Sequence, residues 1–259
     1  MKATTNLMAI SGSNVQGLKA VPPKPDWKTR LHKFAKRSGG VKLGCLKLSV
    51  LVTTLLCTSA TADRFRVEGD VLFFDMGYTG ASSTWPDELK QSDVGQFMLW
   101  IADYENVDTI AVTGPGGFGP AGREIAETIT AFKFDTVAHG ECYSACADIF
   151  MAGKSRRVTE DAKLGFHRPY VTASEEKAYY DYARDGQGWL EPFDYVPHIY
   201  DVALTDMLGI VEFMTSRGIA VDFILEAYSH SSYEMWEPEH SRLLEAGVVT
   251  SLDYVDFAD

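Results

Sequence analysis

Asp108-Thr109-Ile110-Ala111-Val112-Thr113-Gly114-Pro115-Gly116-Gly117 is the stretch that decides how this chain folds. Its first half is β-branched and apolar without a polar break at its centre, which reads as a strand covered on both faces. Glycines follow at once, so the strand ends in a tight turn that can aim backbone N–H groups into a cleft. Upstream, Val71-Leu72-Phe73-Phe74-Asp75 is a second run of the same kind, and 135–138 and 164–167 downstream are two more. Between them the apolar residues fall at helical spacing: Val94, Phe97, Met98 and Ile101 over 93–104, then Ile125 and Ile129 over 121–132, with 143–152 a third helix. Strand and helix in alternation predict an α/β fold with parallel strands.

Beyond His167 the alternation breaks. Residues 170–200 are acidic and tyrosine-rich, with too few aliphatic side chains for a core of their own, and are expected to form an excursion or lid. Helical spacing returns at 202–214, 221–228 and 236–247, and Val248-Val249 is expected to make a last short strand. A single α/β domain is thus expected over 63–259.

The other end of the chain is different in character. With 46% hydrophobic and 23% charged residues, the composition excludes disordered, collagen-like and disulfide-scaffold proteins. The net charge of −12 is unevenly spread: residues 1–62 carry +9 and the rest −21. A body that acidic repels phosphate backbones, which argues against nucleic acid as a partner. Residues 28–42 are basic, 46–60 are mostly apolar, and Ala60-Thr61-Ala62 puts small residues before Asp63. That order reads as a secretory signal peptide cleaved after Ala62, with a secreted or periplasmic product from a bacterium. The competing reading is a membrane anchor, but the apolar run is shorter than the ~20 residues a spanning helix needs. Membrane contact is therefore expected only through the signal segment. Cys45 and Cys57 leave with it, so only Cys142 and Cys146 remain, and export would permit their pairing. Their spacing alone proves no bond, because a helix also brings i and i+4 together.

Two glycine turns at strand ends, Pro115-Gly116-Gly117 and Gly140-Glu141-Cys142-Tyr143-Ser144-Ala145, could carry chemistry. A serine between such a turn and a helix has a free hydroxyl, and the N–H after it can stabilise an oxyanion. His167, at the end of the next strand, could take the proton of Ser144. Each piece also has a plainer reading: a turn, an N-cap serine, a structural histidine. A phosphate loop is excluded because no Gly-Lys-Ser/Thr follows. A zinc site from Cys142, Cys146 and His167 would lack a closed ligand set. No metal and no cofactor are expected.

In their order, Thr113-Gly114-Pro115-Gly116-Gly117 with Gly122, then Gly140-Glu141-Cys142-Tyr143-Ser144-Ala145-Cys146, then Leu164-Gly165-Phe166-His167-Arg168-Pro169, resemble the ClpP-like serine peptidase family. More narrowly, they resemble its exported members with a Cys-x-Ser-Ala-Cys segment. The resemblance spans most of 71–167 and resumes at 243–252. It implies the ClpP/crotonase spiral of β-β-α units, Ser144 as nucleophile, His167 as general base, and Gly117 and Ala145 as donors of the oxyanion hole. Where the family has its acid, this chain reads Tyr228-Ser229-His230-Ser231-Ser232-Tyr233-Glu234 with no aspartate, so Glu234 or a Ser–His dyad is expected. The loop after His167 is longer than in the ring-forming peptidases. A homo-oligomer is therefore an open expectation, and ring assembly does not carry over. The resulting reading is an exported serine hydrolase acting on a peptide or protein. A non-catalytic ClpP-like module binding a peptide or partner in the same cleft is the alternative. An acyl-CoA enzyme of the crotonase type fits less well, given the serine, the histidine and an acidic body facing an anionic cofactor.

Overall fold

Strand β1 (Phe65–Glu68) alternates apolar and charged residues and pairs antiparallel with β2 (Val71–Asp75), Phe65 opposite Phe74. The computed structural model describes residues 64–78 and 87–257; the basic and apolar N-terminal stretch, with the expected cleavage point after Ala62, lies outside the described residues. From β2 onward the pairing is parallel. Helix α1 (Gln91–Asp103) starts where Asp93 accepts the Lys90 N–H at 2.7 Å and pairs with Arg64 at 2.8 Å. It leads to β3 (Thr109–Gly114), and α2 (Gly119–Phe132) leads to β4 (Asp135–Tyr143). β4 forks the sheet. Its residues 136–138 pair with β5 (Arg156–Val158), while 141–143 pair with β6 (Lys163–Gly165), and helix α3 (Ala145–Met151) follows directly on β4. The strand order is β1-β2-β3-β4-β5 with β6 also on β4, giving one mixed, mostly parallel sheet. The expected α/β class with parallel strands is thus the one observed.

The period-two alternation of the strands explains their unbroken apolar runs. Leu72, Phe74, Ile110, Val112 and Ala138 face the main core, where helices cover them. Phe73, Ala111 and Val137 face the other way and are covered by Val255 and Phe257 from the C-terminal segment. Apolar side chains cover these strand positions on both faces, so the runs need no polar residues.

Several elements differ from the sequence expectation. β4 does not stop at Ala138 but continues through His139, Gly140 and Glu141 to Tyr143, after a register shift against β3 between Val112 and Gly114. That shift lets glycine and polar residues sit inside a strand. β1 and β5 were not expected; Arg156-Arg157-Val158 has too few apolar residues for a strand signal. The stretch 170–200 is helical: α4 (Ala173–Gln187) carries a Thr172–Glu175 capping box, and α5 (Pro192–Ser216) absorbs the expected 202–214 helix. Ring contacts among Tyr179, Tyr180, Trp189, Tyr195 and His198 hold the two together, with Trp189 and Tyr195 at 4.9 Å. Aromatic area there does the work that aliphatic side chains do elsewhere. Helix α6 (Val221–Ser229) packs on the main core through Phe223, Ile224 and Ala227, and α7 (His240–Glu245) is shorter than the expected 236–247. Val248-Val249 is not a strand. The carbonyls of Gly247 and Val248, which a strand would offer to a neighbour, instead accept from the buried Arg156 guanidinium at 2.7 and 2.8 Å.

Candidate active site

Gly116, after β3, sits at φ 90°, and a Cβ there would lie 2.5 Å from the Tyr143 carbonyl oxygen and 2.9 Å from both Ala145 N and Ser144 Cβ. Only glycine lets the turn lie this close to the β4–α3 junction. The turn is fastened from the other side: the Leu89 N–H donates to Gly116 O at 2.7 Å, and the Phe118 N–H donates to Leu89 O at 2.9 Å. These bonds occupy the neighbours of Gly117. Its own N–H makes no hydrogen bond among the described residues, and neither does that of Ala145.

Ser144 joins β4 to α3 at φ 54° and ψ −123°, one of two non-glycine residues at positive φ among those described. Such a conformation costs of order 1–3 kcal/mol and persists only when its surroundings hold it. Here the Ser144 N–H donates to Gly165 O at 2.9 Å, and the Asp148 N–H donates to Ser144 O at 3.2 Å. The hydroxyl caps nothing, so the plain N-cap reading of this serine fails. Cys142 and Cys146 are joined in a disulfide with both residues fully buried, one on either side of Ser144. Two of the three imagined zinc ligands are thereby spent.

His167 follows Phe166, which exchanges two 2.9 Å hydrogen bonds with Trp236. Because β6 pairs Gly165 with Tyr143, Ser144 and His167 leave the same edge of the sheet two residues beyond paired positions or fewer. The His167 Nδ1 lies 2.9 Å from the Arg168 carbonyl oxygen. A carbonyl only accepts, so Nδ1 carries the proton and Nε2 keeps its lone pair. Among the described residues, Ser144 Oγ makes no hydrogen bond to His167. Glu234 is not the partner of His167: its carboxylate accepts from the Ser231 N–H at 3.4 Å and the Ser231 hydroxyl at 3.2 Å, closing its own turn. A local acceptor won over a distant one.

Two titratable groups escaped the sequence reading. Asp148 lies one turn past Ser144 in an otherwise apolar helix, and burial pushes its carboxyl up to about 6. The i, i+4 relation to Ser144 was the signal available. His139 projects from the second face of the sheet, between Phe73 and Phe257 at 5.8 Å each, into a cleft of about 900 Å³ that Arg66, Asp161 and Tyr254 also line. Burial lowers its pKa, and its Nε2 is enclosed without a hydrogen-bond partner among the described residues.

No family model matches the chain, and no curated protein does. Among solved structures it is similar to ClpP1 from Listeria monocytogenes, with 16% identity over 65% of this chain and 88% of that one and a TM-score of 0.46. It is similar to the ClpP protease catalytic domain from Plasmodium falciparum, with 12% identity over 73% and 87% and a TM-score of 0.44. An enoyl-CoA hydrotase/isomerase family protein from Silicibacter pomeroyi gives 11% identity over 73% and 74% and a TM-score of 0.41.

Proposed function

We propose that the chain is an exported serine hydrolase that cleaves peptides or proteins through an acyl-enzyme on Ser144. The observation that carries this reading is the positive-φ Ser144, its hydroxyl unspent, at a junction against which the Gly116 turn packs, with the N–H groups of Gly117 and Ala145 also unspent. In this reading the Oγ of Ser144 attacks the scissile carbonyl carbon while Nε2 of His167 takes its proton. The carbonyl oxygen, now charged, is met by the two N–H groups, which need no reorganisation to receive it. The leaving amine collects the proton from His167, and water then releases the acyl group by the same path. The Arg168 carbonyl does what an acid does elsewhere, holding the imidazole in the tautomer that leaves Nε2 basic. The Ser144–His167 hydrogen bond would close to ~2.6–3.2 Å once substrate is bound.

Labelling with a fluorophosphonate tests the reading. A covalent adduct on the folded chain that is absent in Ser144→Ala supports it, and folded protein that never labels overturns it. The reading as a binding module is favoured by one observation, that the hydrogen bond between Ser144 and His167 is not made. The same labelling decides between them. Export belongs to the proposal on the strength of the order of residues 28–62. N-terminal sequencing of secreted material is expected to begin at Asp63, and a full-length, membrane-retained product would contradict it.

A further inference from the structure

Helix α5 is 25 residues long, yet Met214 is its single buried residue. The helix is anchored at two places. Met214 joins the main core with Ile210, Val211 and Phe213 packed against it, and near the other end Tyr195 and His198 meet the rings of α4. On the rest of its surface α5 is apolar and uncovered. Val196, Tyr200, Leu204 and Leu208 recur every four residues, with Phe193 three before the first, and all lie within the helix. They therefore form one row along its surface, about 22 Å long. All five are exposed, Phe193 to 80%, Tyr200 to 67% and Leu208 to 64%. An apolar surface of this extent with a charged rim marks a place where another molecule docks.

The rim tells which molecule. Residues 185–216 hold six acids and no lysine or arginine. Asp194, Asp201 and Glu212 stand seven and eleven residues apart, which puts them on one line along the border of the row. Asp206 pairs with Arg123 at 3.7 Å, whereas Asp201 and Glu212 join no ion pair among the described residues. We propose that this face docks an amphipathic helix of a partner protein, apolar on one side and carrying lysine or arginine along the edge. A second copy of α5 would set acid against acid with no base to answer it. An anionic lipid surface is repelled by the same acids. A basic helix covers the apolar row and neutralises its border: the row supplies contact area, and the acids select the partner. Neither Ser144 nor His167 takes part, so the docking face and the hydrolase reading stand or fail separately.

The test uses the full chain and two fluorescein-labelled synthetic helices of about 18 residues, a length of ~27 Å. Both carry leucine on one face, flanked by lysine in one and by glutamate in the other. Binding is read by anisotropy at physiological ionic strength, ~0.15 M. The lysine helix is expected to bind at least about tenfold more tightly than the glutamate helix. Leu204→Glu should weaken it by at least about tenfold, and Asp201→Lys should cut the preference for lysine at least about threefold. Where Leu204→Glu lowers the melting temperature, Tyr200→Glu on the preceding turn of the row supplies the same test. Asp103→Lys makes the same charge change at the exposed end of α1 and is expected to leave binding unaltered. An equal loss in that variant would mean that the net charge of the body holds the peptide, and would overturn the docking face. Equal affinity for the two helices, or unchanged binding in Leu204→Glu, would overturn it too. Sedimentation of the chain alone and with phosphatidylglycerol vesicles examines the other occupants. A dimer, or a vesicle-bound form, that Leu204→Glu abolishes would assign the row to a second copy or to lipid and overturn the basic partner.

Discussion

A serine at φ 54° is held there against its own preference, and that has a measurable consequence. Ser144→Ala and Ser144→Gly both remove the hydroxyl, but only glycine occupies this region without a Cβ penalty. Glycine normally costs stability relative to alanine, yet here Ser144→Gly is expected to be the more stable variant by about 1 kcal/mol. Thermal denaturation of the pair checks it, and the ordinary order would mean the junction is not strained. Asp148 makes a second residue-scale prediction. Its carboxyl, raised to about 6 by burial, holds its proton more tightly folded than unfolded, where ionisation occurs near ~3.9. The folded state binds more protons between those values, so this group lowers stability as pH rises from about 4 through about 6. Asp148→Asn is therefore expected to gain up to about 3 kcal/mol at pH 8 and almost nothing at pH 4. A gain that is the same at both pH values would contradict the assignment.

At the scale of elements, the decisive arrangement is the junction where β4 gives way to α3, with a disulfide spanning it from Cys142 to Cys146. So short a loop adds only about 2 kcal/mol through the unfolded chain. Its larger effect is expected on position: the bond fixes the strand end relative to the helix start, and a misplacement of 1 Å can cost ~100-fold in rate. The double variant Cys142→Ala/Cys146→Ala should remain folded and lose fluorophosphonate reactivity by more than tenfold. Counting free thiols in denaturant without reductant gives an independent check, since two titratable thiols would rule the bond out. The sequence showed this junction as a glycine turn before a helix. The continuation of β4 to Tyr143 was hidden, because the register shift that lets polar residues into the strand is a property of its pairing with β3.

For the whole molecule, Arg156 matters more than its place in a three-residue strand suggests. The residue is 4% exposed, and its guanidinium donates to the carbonyls of Gly153, Arg217, Gly247 and Val248. It thereby ties β5 to the end of α5 and to the segment after α7. Burial drops its pKa to about 10, so it remains charged at neutral pH. Arg156→Ala would leave four buried or part-buried carbonyls short of a donor and is expected to cost about 3–5 kcal/mol in urea denaturation. Arg156→Lys keeps the charge but loses the planar fork, and should recover less than half of that. A loss under about 1 kcal/mol for the alanine variant would show that water replaces the donors.

The apolar runs at 71–75, 109–114 and 135–138 determined the α/β class by themselves, because a parallel sheet covered on both faces leaves no other pattern for its strands. Ser144, His167 and the two glycine turns were legible for a related reason: small residues between a strand and a helix mark a place where backbone must come close. Periodicity does not register an aromatic-packed hairpin, so α4 read as an excursion. The tertiary structure alone decided that Glu234 closes its own turn, that Arg168 supplies the acceptor for His167, and that Arg156 takes the carbonyls of 247–248. Those outcomes turn on which of several donors or acceptors lies nearest in space, and residues far apart in the chain compete for them. Local sequence carries no information on that competition.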